Sequence, residues 1–349
     1  MRCVDACLSP VTFLSCHKRC FLMPASHSGN RSTIQLMIDL RLGYAVVSSG
    51  LILVGFFWNN LEGFDLQYIF LIVGIFLANV FMFVVNDFYD ASHDSFDPAK
   101  RARNLFCSPD TRQLGTMILY TSVGLSLVLG AIVSPLIFLI IALFNVLAFS
   151  YSAPPIKLRN RLYWDWIFVF LWKGLILAAS YVYFFGTDLS VLNPFMYGTL
   201  SIVMLFSLIS QMDNQIRDFE VDKTNNTGHS VQRLGHKTSF RLQFVLLTLF
   251  FAFSIAFSYL SGLYITVVLI LVNVSLYFVV NPKKYSEVLE FASLWVVVLF
   301  MEHFTEFFSY RQQLLFSLWV VAMIGIAVIH AKRTNLFEDR RSIRGKIHT

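Results

Sequence analysis

Apolar residues in this chain gather in long unbroken runs instead of alternating with polar ones. The stretch "YIFLIVGIFLANVFMFVV", residues 68–85, holds a single amide among seventeen other residues without charge. Runs of roughly 17–25 mostly apolar residues are long enough, as helices, to cross a bilayer. They predict spans near 42–60, 66–86, 114–132, 134–151, 164–186, 193–212, 240–260, 263–280, 288–308 and 312–330, the ninth interrupted by "MEHFTEFF". The expected fold is therefore all-α: a polytopic membrane helical bundle of nine to ten transmembrane helices around a central cavity. Its links alternate in length. On one face they are minimal ("NNLEGFD", "SP", "GTDLSVLN", "SG"), so the polar material collects on the other.

Charge orients the bundle. Of the 27 Lys and Arg, only Lys173 and Arg311 fall outside the segments on the long-link side. Positive loops stay cytoplasmic, so both termini and the long links are expected there. Charged residues make up 14% of the chain, against about 25% in soluble domains. The net charge of +6 needs no nucleic acid, since juxtamembrane cations facing anionic lipid account for it. Residues 1–39 read as a disordered cytoplasmic leader, 40–331 as the membrane domain and 332–349 as a basic cytoplasmic tail. Cys3, Cys7, Cys16 and Cys20 lack the short two-residue knuckle of common zinc sites, so a structural zinc is not expected.

Two polar clusters end apolar runs on the same side: "NDFYDASHD", Asn86 to Asp94, and "NQIRDFEVD", Asn214 to Asp222. Each places Asn, Asp and Asp at i, i+4 and i+8. On a helix these form one stripe about 12 Å long. One such cluster is an ordinary solvated helix end; two of equal spacing ask for a cation, because unpaired carboxylates near the bilayer edge repel and resist desolvation. Mg²⁺ suits oxygen donors and is commonly shared between carboxylates and substrate phosphates. Cations flank both stripes: Lys100, Arg101 and Arg103 after the first, Lys157, Arg159 and Arg161 in "YSAPPIKLRNR" behind Tyr151, and Arg217 and Lys223 at the second. Metal-binding acids ringed by cations suggest a diphosphate site. Four spans separate the stripes, which suggests two pseudo-repeats of about four helices.

These three stretches, in this order, resemble the UbiA family of intramembrane prenyltransferases, over roughly residues 40–305. The resemblance implies a helical fold, usually described with nine spans, with Mg²⁺ and a polyprenyl diphosphate held between two Asp-rich motifs. Carried onto this chain, it makes Asn86, Asp90, Asp94, Asp218 and Asp222 the metal set. Asp90, Asp94, Asp218, Asp222 and Lys157 become catalytic, and Asn86, Asp87, Arg103, Tyr151, Lys157 and Asn214 bind substrate, to which the flanking Arg217 and the intramembrane Lys173 are added as candidates from their own positions. Three features depart from the family pattern. Asn214 replaces a leading Asp, "RNL" at Arg103–Leu105 replaces Arg-Pro-Leu, and a tenth span is added.

The implied activity is transfer of a polyprenyl group from its diphosphate to a lipophilic acceptor such as a quinone precursor, a lipid or a carotenoid-like end group. A terpene cyclase on the same scaffold is the alternative, and a transporter or lipid-binding protein is the reading from another class. Lys173, inside a span, is either a ligand for an acidic acceptor or phosphate, or a snorkelling cation. Arg41 reads as an interface anchor or an acceptor contact, His93 as a loop residue, and Glu302, His303 and Glu306 as interfacial.

Overall fold

The computed structural model describes residues 40–52, 65–96, 98–191, 194–217, 219, 223 and 228–260. Among these, the regular structure is entirely helical. Helix α1 (Leu42–Ser49) tightens into a 3₁₀ turn at Gly50–Ile52. It is followed by α2 (Leu66–Asp94), α3 (Pro98–Arg103), a 3₁₀ turn at Leu105–Cys107, α4 (Pro109–Val133) and α5 (Pro135–Ser152). A third 3₁₀ turn, Leu158–Asn160, leads to α6 (Trp164–Phe185); α7 (Pro194–Arg217), α8 (Ser230–Leu234) and α9 (His236–Leu260) complete the described chain.

Five helices are long and apolar enough to cross a membrane: α2, α4, α5, α6 and residues His236–Ala256 of α9. They coincide with five of the expected spans, and α7 occupies the place of another. The expected spans from 263 onward, the leader at 1–39, the basic tail at 332–349 and the triplet Glu302, His303 and Glu306 lie outside the described residues.

Local chemistry sets the helix ends. Asp65 caps α2 by accepting from the Tyr68 amide at 2.7 Å, satisfying one of the orphan donors of a helix start. Ser134 closes α4 and opens α5, its hydroxyl accepting from the Ile137 amide at 3.1 Å. Pro135 follows at the first helical position, where its missing N–H is not needed. This one-residue reversal makes α4 and α5 antiparallel neighbours.

The α2–α4–α5 packing is set by small residues. The buried side of α4 consists of Gly115, Ser122, Ser126 and Gly130, while Met117, Tyr120, Leu125, Val128 and Ile132 are exposed. In hydrocarbon there is no hydrophobic drive between helices, so close backbone approach and van der Waals contact supply the association. A Cβ on Gly130 would lie 3.0 Å from Ile141 Cδ1 and 3.2 Å from Phe138 Cα, whereas one on Gly124 would meet nothing within 4 Å. The main core is built around α2, with Tyr68, Leu71, Ile75 and Ala78 against Ile137, Ile141 and Phe144 of α5 and Ile176 and Ala179 of α6.

Polar rungs cross this core. The fully buried Asn79 donates to Ser49 Oγ at 3.2 Å and accepts from Trp172 Nε1 at 2.9 Å, joining α1, α2 and α6. Asn145 of α5 donates to Ser126 of α4 at 3.0 Å. Such bonds tie helices together where no water competes.

Replacing Gly130 with Leu is expected to force α4 from α5 and lower stability by about 1–3 kcal/mol. Gly124→Leu, on the open face, should be neutral within about 0.5 kcal/mol. Denaturant or thermal unfolding of the purified protein in lipid or detergent distinguishes the two.

Candidate active site

The C-terminal ends of α2, α5 and α7 and the N-terminal end of α6 meet at one end of the bundle, with α8 beside them. At this end α2 presents its stripe. Asn86 Oδ1 accepts from Ser152 Oγ at 3.2 Å and from Arg159 Nη1 at 3.3 Å. Asp90 takes both terminal nitrogens of the same guanidinium, one on each carboxylate oxygen. Arg159 is buried, at 7% exposure, and comes from the 3₁₀ turn after "YSAPP". The stripe and the basic loop, far apart in sequence, thus close on each other in a fork-to-fork ion pair. Burial works against the Arg159 charge, but the Asp90 carboxylate overrides it and holds the guanidinium above its ordinary pKa.

The other acids at this end of α2 have separate partners. Asp87 is buried and pairs with Arg41 at 2.8 Å; Arg103 adds a second positive charge within electrostatic reach of it. Arg41 also lies over the Phe83 ring at 5.6 Å, so the residue read as an interface anchor or acceptor contact is committed to α2. Asp94, 8% exposed, accepts from the Asn104 amide at 2.8 Å. His93 is exposed.

Lys157 heads the turn that carries Arg159. Burial and the adjacent Arg159 guanidinium push its ammonium below the ordinary lysine value, with Asp90 opposing. Its backbone is left-handed, φ 38°, as are Arg41 at 53° and Tyr163 at 66°. These are the non-glycine residues with positive φ among the described positions, and all lie at this end. Such conformations persist only where surrounding contacts over-determine them, and they cluster at functional sites.

Contacts from α7 and α8 supply that over-determination. His229 Nδ1–H donates to the Arg159 carbonyl at 3.0 Å, and Arg233 Nη2 donates to the Asn160 carbonyl at 2.7 Å. Beneath the turn, Asp165 is fully buried. It accepts from the Ser230 amide at 3.0 Å, from the Ser230 hydroxyl, from Gln215 Nε2 at 2.7 Å and from the Trp166 amide at 3.0 Å. Trp166 Nε1 in turn donates to Gln215 Oε1 at 3.1 Å. The segment after the second stripe therefore grips the turn that grips the first stripe. Tyr151 reaches α7 as well, accepting from Gln211 Nε2 at 3.4 Å, and its ring stacks on Phe168 at 4.2 Å.

Of the residues expected from sequence, Asn86, Asp90, Asp94, Lys157 and Tyr151 come together at this end, with Asp87 and Arg103 alongside. Asn214 lies on α7 with an exposed side chain, and Arg217 is the last residue of that helix. Asp218 and Asp222 lie outside the described residues. Lys173 sits deeper, its ammonium 2.6 Å from Ser48 Oγ and 3.8 Å from the centre of the Trp172 ring. Residues that sequence reasoning passed over include Asn104, Asp165, Gln215, His229 and Ser230. Asp165 had one signal, an acid in the first turn of a helix, and Asn104 stood out as a departure from the family pattern.

The donor set bears on metal binding. Among the described residues no group of three or more His, Cys, Asp or Glu is close enough to hold an ion; what they offer is an amide and two carboxylates, Asn86, Asp90 and Asp94. Asn86 Oδ1 and both Asp90 oxygens already converge on one positive charge, that of Arg159. Hard oxygens arranged about a cation fit Mg²⁺, which takes one or two carboxylates with phosphate oxygens and water.

The sequence profile of the UbiA prenyltransferase family matches residues 49–301. No curated protein sequence matches the chain. A UbiA homolog from Archaeoglobus fulgidus bound to GPP and Mg²⁺ superposes with a TM-score of 0.58 at 16% identity, covering 78% of this chain and 99% of that one. The apo structure of a UbiA homolog from Aeropyrum pernix K1 gives 0.55 at 13%, covering 78% and 98%. A structure of digeranylgeranylglyceryl phosphate synthase gives 0.51 at 18%, covering 78% and 96%.

Replacing Asp165 with Ala strands several buried donors at once and is expected to lower stability by about 2–3 kcal/mol. Hydrogen exchange should rise first at residues 228–235, which lose their anchor.

Proposed function

Because the chain belongs to the UbiA prenyltransferase family, we propose that it is a Mg²⁺-dependent intramembrane prenyltransferase, moving a polyprenyl group from its diphosphate to a lipophilic acceptor. The observation that carries this reading is the convergence of Asn86, Asp90 and Arg159, with Lys157 and Asp94 beside them, at one end of a lipid-facing bundle. The neighbour bound to GPP and Mg²⁺ supports the same ligand classes here. Asn86, Asp90 and Asp94 would hold the cation together with Asp218 and Asp222 of the second motif. Asn214 and Arg217, on the same helix end, would meet the diphosphate. The basic loops and both termini are assigned to the cytoplasmic side, and α2 and α7 are assigned as equivalent members of two pseudo-repeats.

Bound Mg²⁺ would supply positive charge against the diphosphate as it leaves. The chain's own residues do the rest. Lys157 donates to diphosphate oxygens, and Arg159 passes from Asp90 to the arriving anion, so its charge is used in both states. Charge-assisted bonds of this kind stabilise a leaving group most when they are preorganised and screened from water. The C–O bond of the allylic diphosphate breaks, the electron pair leaves with diphosphate, and the allylic cation alkylates an electron-rich acceptor that then loses a proton. Tyr151, Phe168 and Trp172 form a run of rings leading inward from the ion pair, and π-faces stabilise a cation. Lys173, at the end of that run, would meet an anionic group on the acceptor.

The test is incubation of purified protein with C10 to C20 prenyl diphosphates and a membrane lipid extract, with products read by mass spectrometry. A prenylated acceptor plus diphosphate supports transfer. A cyclic hydrocarbon formed without acceptor supports the cyclase alternative, and ion-coupled flux without diphosphate release supports the transporter. Asp90→Ala and Asp218→Ala are each expected to lower Mg²⁺-dependent diphosphate release by more than about 100-fold; full turnover by either variant overturns the metal assignment. The lowered Lys157 pKa also predicts that diphosphate affinity falls with rising pH earlier than for an ordinary lysine. Lys157→Arg, which stays charged, should remove that alkaline decline in a binding titration.

A further inference from the structure

We propose that Asn104 is a positioning residue that clamps Asp94 so that only one of its carboxylate oxygens is offered to the divalent cation. The inference rests on the prenyl-transfer reading above and extends it to a residue at which this chain departs from the family pattern.

Asn104 is fully buried. Its Nδ2 donates to the Asp87 carbonyl at 2.7 Å and to Asp94 Oδ2 at 2.8 Å, while its Oδ1 accepts from the Phe106 amide at 2.9 Å. The amide can sit only one way round. Flipped, it would set an oxygen against a carbonyl and a carboxylate, and an NH₂ against an N–H. The turn carrying it is itself braced on α2. Cys107 Sγ donates to the Ala91 carbonyl at 3.3 Å and Phe106 meets Phe88 edge-on at 5.2 Å, while the Asn104 backbone N–H donates to the Lys100 carbonyl of α3 at 2.9 Å.

Asp94 needs such a brace because it is the last residue of α2, where helices fray. With Oδ2 engaged by Asn104, Oδ1 is the oxygen left for a cation; it accepts no hydrogen bond from the described residues. A carboxylate limited to one oxygen suits the small octahedral Mg²⁺. A carboxylate free to turn both oxygens inward suits the larger Ca²⁺, which accepts bidentate ligands. Asn104 thus bears on both the strength and the selectivity of metal binding without touching the ion. Residues that hold a metal ligand in place without touching the ion typically change metal affinity by roughly 10–100-fold.

The test uses Asn104→Ser, which keeps an oxygen able to cap the Phe106 amide but is too short to reach Asp94, with Asn104→Ala as a second variant should the serine protein not fold. Mn²⁺ binding to the full-length purified protein, with a non-cleavable prenyl diphosphate analogue, is followed by the electron paramagnetic resonance of free Mn²⁺, and Mg²⁺ and Ca²⁺ are titrated as competitors. The expected result is Mn²⁺ and Mg²⁺ binding weakened roughly 10–100-fold, a smaller loss for Ca²⁺, and turnover restored by raised Mg²⁺. In an Asp94→Asn background the same change should add nothing, because the two residues act as one unit. Equal binding by variant and unaltered protein, or an undiminished loss in the Asp94→Asn background, overturns this inference alone. Failure of the unaltered protein to bind Mn²⁺ overturns the reading beneath it as well.

Discussion

A buried guanidinium locked onto a half-buried carboxylate, Arg159 on Asp90, is the contact on which the polar end of this bundle depends. Each charge alone would be costly to hold there, and breaking such a pair leaves the survivor uncompensated, at roughly 3–5 kcal/mol. Removing a buried charge from water is repaid only by good geometry and further hydrogen bonds. Both are present: the contact is bidentate, and Arg159 also reaches Asn86 Oδ1. The pair joins α2 to a turn between α5 and α6, so its geometry is only as firm as that turn.

The turn is held from the opposite side. Its carbonyls accept from His229 and Arg233, its left-handed neighbours Lys157 and Tyr163 need that support, and Asp165 ties Ser230 and Gln215 to the start of α6. Force therefore passes from α7 and α8 through backbone to a side chain that ends on α2. An anion arriving at this end would find Lys157 and Arg159 already gathered and already shielded in part from water, a condition that favours electrostatic stabilisation. The rest of the bundle has the complementary task of keeping α2 from moving. It does so with a small-residue seam against α4 and α5 and polar rungs to α1 and α6, where large apolar residues on the outer faces meet lipid.

The same layout explains why three acids within eight consecutive residues of α2 behave differently. Asp87 is spent on Arg41 and holds α1 to α2. Asp90 rests on the cation that is proposed above to pass to an arriving anion, and Asp94 rests on an amide that leaves its charge intact. One helix end thus contains an acid spent on an ion pair and the two acids proposed above as metal ligands.

Membrane character, the positions of the described helices and the first donor stripe were legible in the sequence, because each follows from local rules. Apolar runs must be helices in lipid, and a four-residue repeat must share a face. Membership of the family was legible for the same reason, since its motifs are contiguous. Which cation meets which acid was not, because Arg159 and Asp90 are brought together by the fold and nothing near either names the other. The loops offered several lysines and arginines of equal standing, and only tertiary packing buried Arg159 on Asp90 and turned Arg41 to Asp87. Asp165 and Asn104 were illegible in the same way. A buried polar group declares its role through the partners that satisfy it, and those partners come from distant parts of the chain.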